Sequence, residues 1–94
     1  MKFIIVEKMQ LSFAAQISST FTSKSEAKDY GYTIPTGKNV KKYNVDNGFI
    51  LKERFNNQNT SNPEKATINA REIKCGKLTL YVKDIYGYCE VETF

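Results

Sequence analysis

Chemistry in this chain has to come from cysteine, carboxylate, lysine and tyrosine, because histidine is absent. Without histidine there is no Ser-His or Cys-His pair for nucleophilic catalysis. There is also no imidazole to hold a metal or shuttle protons near neutral pH. A carboxylate pair can still support hydrolysis. The candidates are Glu7, Asp29, Asp46, Glu53, Glu72, Asp84, Glu90 and Glu92. Most follow the polar face of a strand or sit in turns, and so read as solvated surface. Cys75 and Cys89 alone cannot close a structural zinc site. They read as small buried hydrophobes, or as a redox pair if neighbouring strands bring the sulfurs together. Thr36-Gly37-Lys38 matches only the tail of a phosphate-binding loop. Five residues rather than four separate Gly31 from Gly37, and Asn39 replaces the hydroxyl that would hold magnesium. The residues point away from an enzyme, and no cofactor or metal site is expected.

Two features suit binding instead. Gly37-Lys38-Asn39-Val40-Lys41-Lys42-Tyr43 sets three lysines beside a tyrosine. Such a loop can meet phosphates while Tyr43 stacks on a base, or meet an acidic protein surface. Lysines on an edge strand also discourage aggregation. The second feature is a repeated tripeptide, Tyr30-Gly31-Tyr32 and Tyr86-Gly87-Tyr88. Tyrosine offers a large contact area with few rotors to freeze, which suits interfaces; in turns it equally shields a small core. Lys38, Lys41, Lys42 and Tyr43, then Tyr30, Tyr32, Tyr86 and Tyr88, are the expected partner-binding residues.

Ninety-four residues make one domain, spanning 1–94. The chain is 40% apolar and 26% charged, as a folded domain requires. Its core is small, so stability should be about 5 kcal/mol or somewhat more, and dimerisation would supplement it. Net charge is +4, and only Arg54 and Arg71 among the fourteen basic residues are arginine. Base-specific readers of DNA lean on arginine, so such a role is disfavoured while weak phosphate attraction is not. The opening apolar run is too short for a signal peptide, and no segment has the length of a membrane span. A cytoplasmic protein, monomeric or homodimeric, is expected.

The elements that must position these residues are mostly strands. Residues 2–7 read as a strand buried on both faces, because Phe3, Ile4, Ile5 and Val6 run unbroken. Residues 11–21 read as a second strand paired with the first and bulged near Ala15. Ser23-Lys24-Ser25-Glu26 is a capping box that opens a two-turn helix, with Gly31 past its end. That helix should dock through Ala27 and Tyr30. A strand over Val40–Val45, a turn at Asp46-Asn47-Gly48 and a return strand over 49–55 read as a hairpin. Residues 56–63 form a polar loop. Residues 66–74 favour a strand, although Asn62-Pro63-Glu64 also reads as a helix start. Strands over 77–83 and 86–92 would complete an antiparallel meander. The fold class is therefore α+β: an antiparallel sheet of about six to seven strands with one short helix, and a second helix near 62–74 as the alternative.

The order of Met1-Lys2-Phe3-Ile4-Ile5-Val6-Glu7, a second strand, the capped helix Thr22-Ser23-Lys24-Ser25-Glu26-Ala27-Lys28 and strands including Asp46-Asn47-Gly48-Phe49 resembles small proteins that disarm bacterial defences. Phages and other mobile elements carry such proteins, and some anti-CRISPR proteins are among them. About the first half of the chain takes part. The resemblance implies a non-enzymatic inhibitor that works in the host cytoplasm by occupying a surface, often one meant for nucleic acid. These proteins share no catalytic motif, so no functional residue transfers. Many are acidic mimics of DNA, whereas this chain is basic. Contact with an acidic protein surface, or with nucleic acid itself, is the expectation that remains.

Overall fold

The unbroken apolar run at the start forms strand β1 (Phe3–Lys8), and both of its faces are covered. Ile4 and Val6 enter one core, while Phe3 and Ile5 enter another. The computed structural model describes residues 1–8, 15–55, 67–83 and 89–94. Within them β1 is followed by β2 (Ala15–Ile17), α1 (Lys24–Asp29), β3 (Val40–Val45), β4 (Gly48–Phe55), β5 (Thr67–Lys74), β6 (Leu78–Lys83) and β7 (Cys89–Thr93). The α+β class is as expected, but the strands divide into two sheets. One has the order β2-β1-β6-β3 and the other β5-β4-β7. Only β1 and β6 run parallel; every other pair is antiparallel. Between the sheets lies the larger core, where Leu78, Leu80, Val82 and Val45 meet Phe49, Leu51 and Cys89. The smaller core lies on the other side of the four-stranded sheet, where Phe3, Ile5 and Phe21 pack with Ala27 of the helix.

Two expectations about pairing are overturned. β3 and β4 are not a hairpin: β3 lies along β6, and β4 lies between β5 and β7. A tight type I′ turn needs left-handed backbone at both central residues, and Asn47 has no positive φ. Its carbonyl instead accepts the Cys75 N–H at 3.2 Å. Asp46-Asn47 is thus a corner that carries the chain from one sheet to the other. The terminal meander is also absent, because β5 and β6 belong to different sheets and β7 pairs with β4. Cys75-Gly76-Lys77 is the second corner, bonded to the first. Residues 67–74 are a strand, so the helix alternative fails there; 62–66 lie outside the described residues.

The second strand ends earlier than expected. β2 ends at Ile17 because the Ser18 side chain takes over the ladder: its Oγ accepts the Ile5 N–H at 2.8 Å. Phe21 then pairs with Phe3 through reciprocal backbone bonds of 2.8 and 2.9 Å. Ile5 faces Ser18 and Phe3 faces Phe21, so this side holds one extra residue. A bulge therefore lies at 18–20, while the register over Ala15–Ile17 is regular; residues 11–14 lie outside the described residues. Ile50 is half-buried on the outer face of the three-stranded sheet.

Helix α1 has the predicted cap, with one change. Ser23 Oγ accepts the Glu26 N–H at 3.1 Å. Glu26 reaches one residue further back than the usual box, accepting from Thr22 N at 2.8 Å and Thr22 Oγ1 at 2.6 Å. At the other end Gly31 has φ +82, and Tyr32 N and Gly31 N donate to Ala27 O and Lys28 O, a Schellman closure. Ala27 docks the helix as expected, but Tyr30 is 70% exposed and Tyr32 packs in its place. The Thr22 hydroxyl, then its N–H, holds the Glu26 carboxyl below its ordinary 4.5. A lowered value in the folded state means stability present above the unfolded pKa and lost as pH falls through the folded one. In Thr22→Val, side-chain NMR titration should move the Glu26 midpoint back toward 4.5, and the acid-side loss of stability should shrink.

Candidate functional site

β6 alternates strictly. Leu78, Leu80 and Val82 fill the core between the sheets, which turns Thr79, Tyr81 and Lys83 onto the helix-bearing face. Tyr81 is the hub of that face. Its ring meets Phe3 edge-on at 6.0 Å and 86°. Phe3 meets Phe21 at 5.7 Å, and Phe21 meets Tyr32 at 5.5 Å and Tyr30 at 6.0 Å. At the other end Lys42 Nζ stands 5.6 Å from the Tyr81 centroid, within cation–π reach. Lys42 is the register partner of Tyr81, so the two share a face by construction.

This path joins Tyr30 and Tyr32 to Lys42, ten to twelve positions further along the chain, through Phe21, Phe3 and Tyr81. Phe3 and Phe21 are fully buried and anchor its middle. Aromatic pairs of this geometry contribute about 0.5–1.5 kcal/mol each beyond their burial. Exposure rises outward from the anchors to Tyr30 at one end and Lys42 at the other. Beside Tyr32 lies a shallow depression of about 270 Å³, lined also by Lys24, Lys28 and Ile34. Lys24 and Lys28 are four apart on α1, so both rise from one side of the helix. The face is therefore aromatic inside and lysine-rimmed.

The remaining expected residues fall elsewhere. Lys38 is exposed in the turn that leads into β3. Lys41 and Tyr43 alternate with Lys42, and the Tyr43 ring packs against the core between the sheets. The basic loop is thus split between two faces. Tyr86 and Tyr88 lie outside the described residues. Tyr81 is inconspicuous in the sequence because it occupies the polar parity of β6, between Thr79 and Lys83.

Gly37-Lys38 leads into a strand, whereas a phosphate loop leads into a helix. Cys89 is buried between the sheets, and Cys75, half-buried, packs on the same core. Burial pushes the Cys75 thiol up, which disfavours the reactive thiolate. Glu53 is not solvated surface: it is 3% exposed, accepts the Ala15 N–H at 2.6 Å and pairs with Arg71 at 3.0 Å. Glu72, Glu90 and Glu92 lie exposed on the outer face of the three-stranded sheet. There Lys52 pairs with Glu92 at 2.9 Å and holds its carboxyl below the usual range. Among the described residues no three His, Cys, Asp or Glu side chains gather as a metal would need, and no helix is long and apolar enough to cross a membrane. The outer face of the three-stranded sheet thus carries Lys52 and Lys74 beside its glutamates, and the helix-bearing face carries Glu7 in the parity of Phe3 and Ile5. No protein-family model matches the chain, nor does any curated protein or solved structure.

Proposed function

We propose that this chain is a non-enzymatic, stoichiometric binding protein of the kind that phages and other mobile elements carry. In this reading it inhibits a bacterial defence, as anti-CRISPR proteins do, or another host protein complex, by covering an acidic surface of it in the host cytoplasm. The supporting observation is the path from Lys42 through Tyr81, Phe3 and Phe21 to Tyr30 and Tyr32. Buried anchors hold the outer rings in place before contact, so less side-chain freedom is lost on binding. Tyrosine supplies contact area, and the lysine rim speeds association with an acidic partner.

The test is capture from bacterial lysate with the folded chain as bait. Wild type should retain an acidic protein at fixed stoichiometry. A Lys24→Glu, Lys28→Glu, Lys42→Glu variant should lose affinity by about tenfold or more, since charge reversal turns attraction into repulsion. A Glu72→Lys, Glu90→Lys variant, altered on the other sheet, should bind as wild type does. Equal capture by the charge-reversed lysine variant contradicts the proposal. So does capture that nuclease abolishes and that weakens steeply with salt, which marks a nucleic-acid binder instead.

A further inference from the structure

We infer that the edge of β3, which no described strand covers, accepts an extended acidic segment of a partner protein as an added strand of the four-stranded sheet. The inference rests on the reading of the chain as a binder of acidic protein, and adds how the partner attaches. Thr79 donates its N–H to Lys2 O at 2.9 Å, so the backbone groups of Thr79 and Tyr81 turn toward β1. Those of Leu78, Leu80 and Val82 then turn toward β3. Their register partners Val45, Tyr43 and Lys41 complete that ladder. The backbone groups of Lys42 and Asn44 therefore point away from the sheet. Among the described residues no strand lies beyond β3.

Those outward groups repeat about 6.8 Å apart, the spacing at which a second extended peptide presents its own donors and acceptors. Charge selects the occupant. β3 carries Lys41 and Lys42 and no acidic residue, and Lys38 lies just before it. A second copy is disfavoured, because β3 against β3 sets lysine beside lysine. The two lysines emerge on opposite faces, so the added strand needs an acidic side chain on each, that is, two in succession. Next to Tyr43, whose ring borders the core between the sheets, an apolar side chain extends that core.

The probe is an N-acetylated peptide of alternating Val and Thr with two adjacent central Glu residues, added to the isotope-labelled chain. The Lys42 and Asn44 amide signals should shift and their hydrogen exchange should slow. Replacing the two Glu by Lys, or methylating alternate backbone nitrogens on the pairing edge of the peptide, should weaken binding by about tenfold or more. Methylation alters only the probe, so folding of the chain is not in question. Asn44→Pro removes an outward N–H and keeps every lysine, at an edge position that tolerates proline; it should weaken binding likewise. Equal affinity of the methylated peptide, or unmoved Lys42 and Asn44 signals, overturns the inference. If that occurs while lysine reversal still abolishes lysate capture, strand addition fails and the binding reading stands.

Discussion

Replacing Gly48 with alanine is expected to destabilise the fold by about 3 kcal/mol, from overpacking together with a strained backbone. Gly48 begins β4 with φ +150, a region L side chains rarely adopt. A Cβ there would stand 2.5 Å from Ile73 O, 3.1 Å from the Phe94 ring and 3.2 Å from Lys74 Cα. Two of these neighbours are backbone, and Gly48 is itself paired with Lys74, so they have little room to move. Relief would require β5 to shift away from β4, loosening the three-stranded sheet. Gly76 is the control: a Cβ there meets nothing within 4 Å, and alanine should be neutral or slightly stabilising. Urea unfolding of the two variants reads the contrast. With a total stability of about 5 kcal/mol, the Gly48 variant should stand near its midpoint in mild denaturant.

The second large effect is expected at Glu53. Glu53→Ala should cost about 3 kcal/mol, because it strips a buried backbone N–H of its acceptor and a guanidinium of its partner. The carboxylate oxygen bonds Ala15 N at 2.6 Å and Arg71 Nη2 at 3.0 Å, while Arg71 Nη2 also donates to Ala15 O at 2.9 Å. Both backbone groups of Ala15 are thus held by residues of the other sheet. Among the described residues β2 pairs with β1 over Ala15, Gln16 and Ile17. Glu53→Gln keeps an acceptor for Ala15 and should cost less than Glu53→Ala. Arg71 is 45% exposed, so solvent screens its charge and the ion pair alone contributes modestly. A double-mutant cycle between Glu53 and Arg71 separates that pair from the Ala15 bonds. Hydrogen exchange at Ala15 and Ile17 should speed up in Glu53→Ala more than exchange in β6.

Local patterning made most elements legible. The run Phe3-Ile4-Ile5-Val6 showed a strand covered on both sides, the Ser23 box marked the helix start, and alternation favoured a strand over 66–74. Partnership was not legible in the same way. Leu78, Leu80 and Val82 tell which face is buried but not which strand lies alongside, so β6 looked like part of a meander. Asn47-Gly48 marks a tight reversal in either a hairpin or a corner. The deciding contact, Cys75 N–H on Asn47 O, comes from 28 positions further along. Glu53 looked solvated because its two partners lie 38 and 18 positions away.

The candidate face had the same character. Lysine and tyrosine clusters were visible as composition, yet strand parity separates Lys42 from Lys41 and Tyr43. Tyr81, the residue that links Lys42 to Phe3 and through Phe21 to Tyr30 and Tyr32, had no distinguishing neighbours. The face exists only because β6 enters the sheet between β1 and β3.

Hydrogen exchange of the chain, alone and with a captured protein partner, tests the proposed face most directly. Protection should rise at Lys42, Asn44 and Tyr81 and around Tyr30–Tyr32, with β5 and β7 unchanged. Protection confined to the outer face of the β5-β4-β7 sheet, with β3 and α1 exchanging as in the free chain, would contradict it.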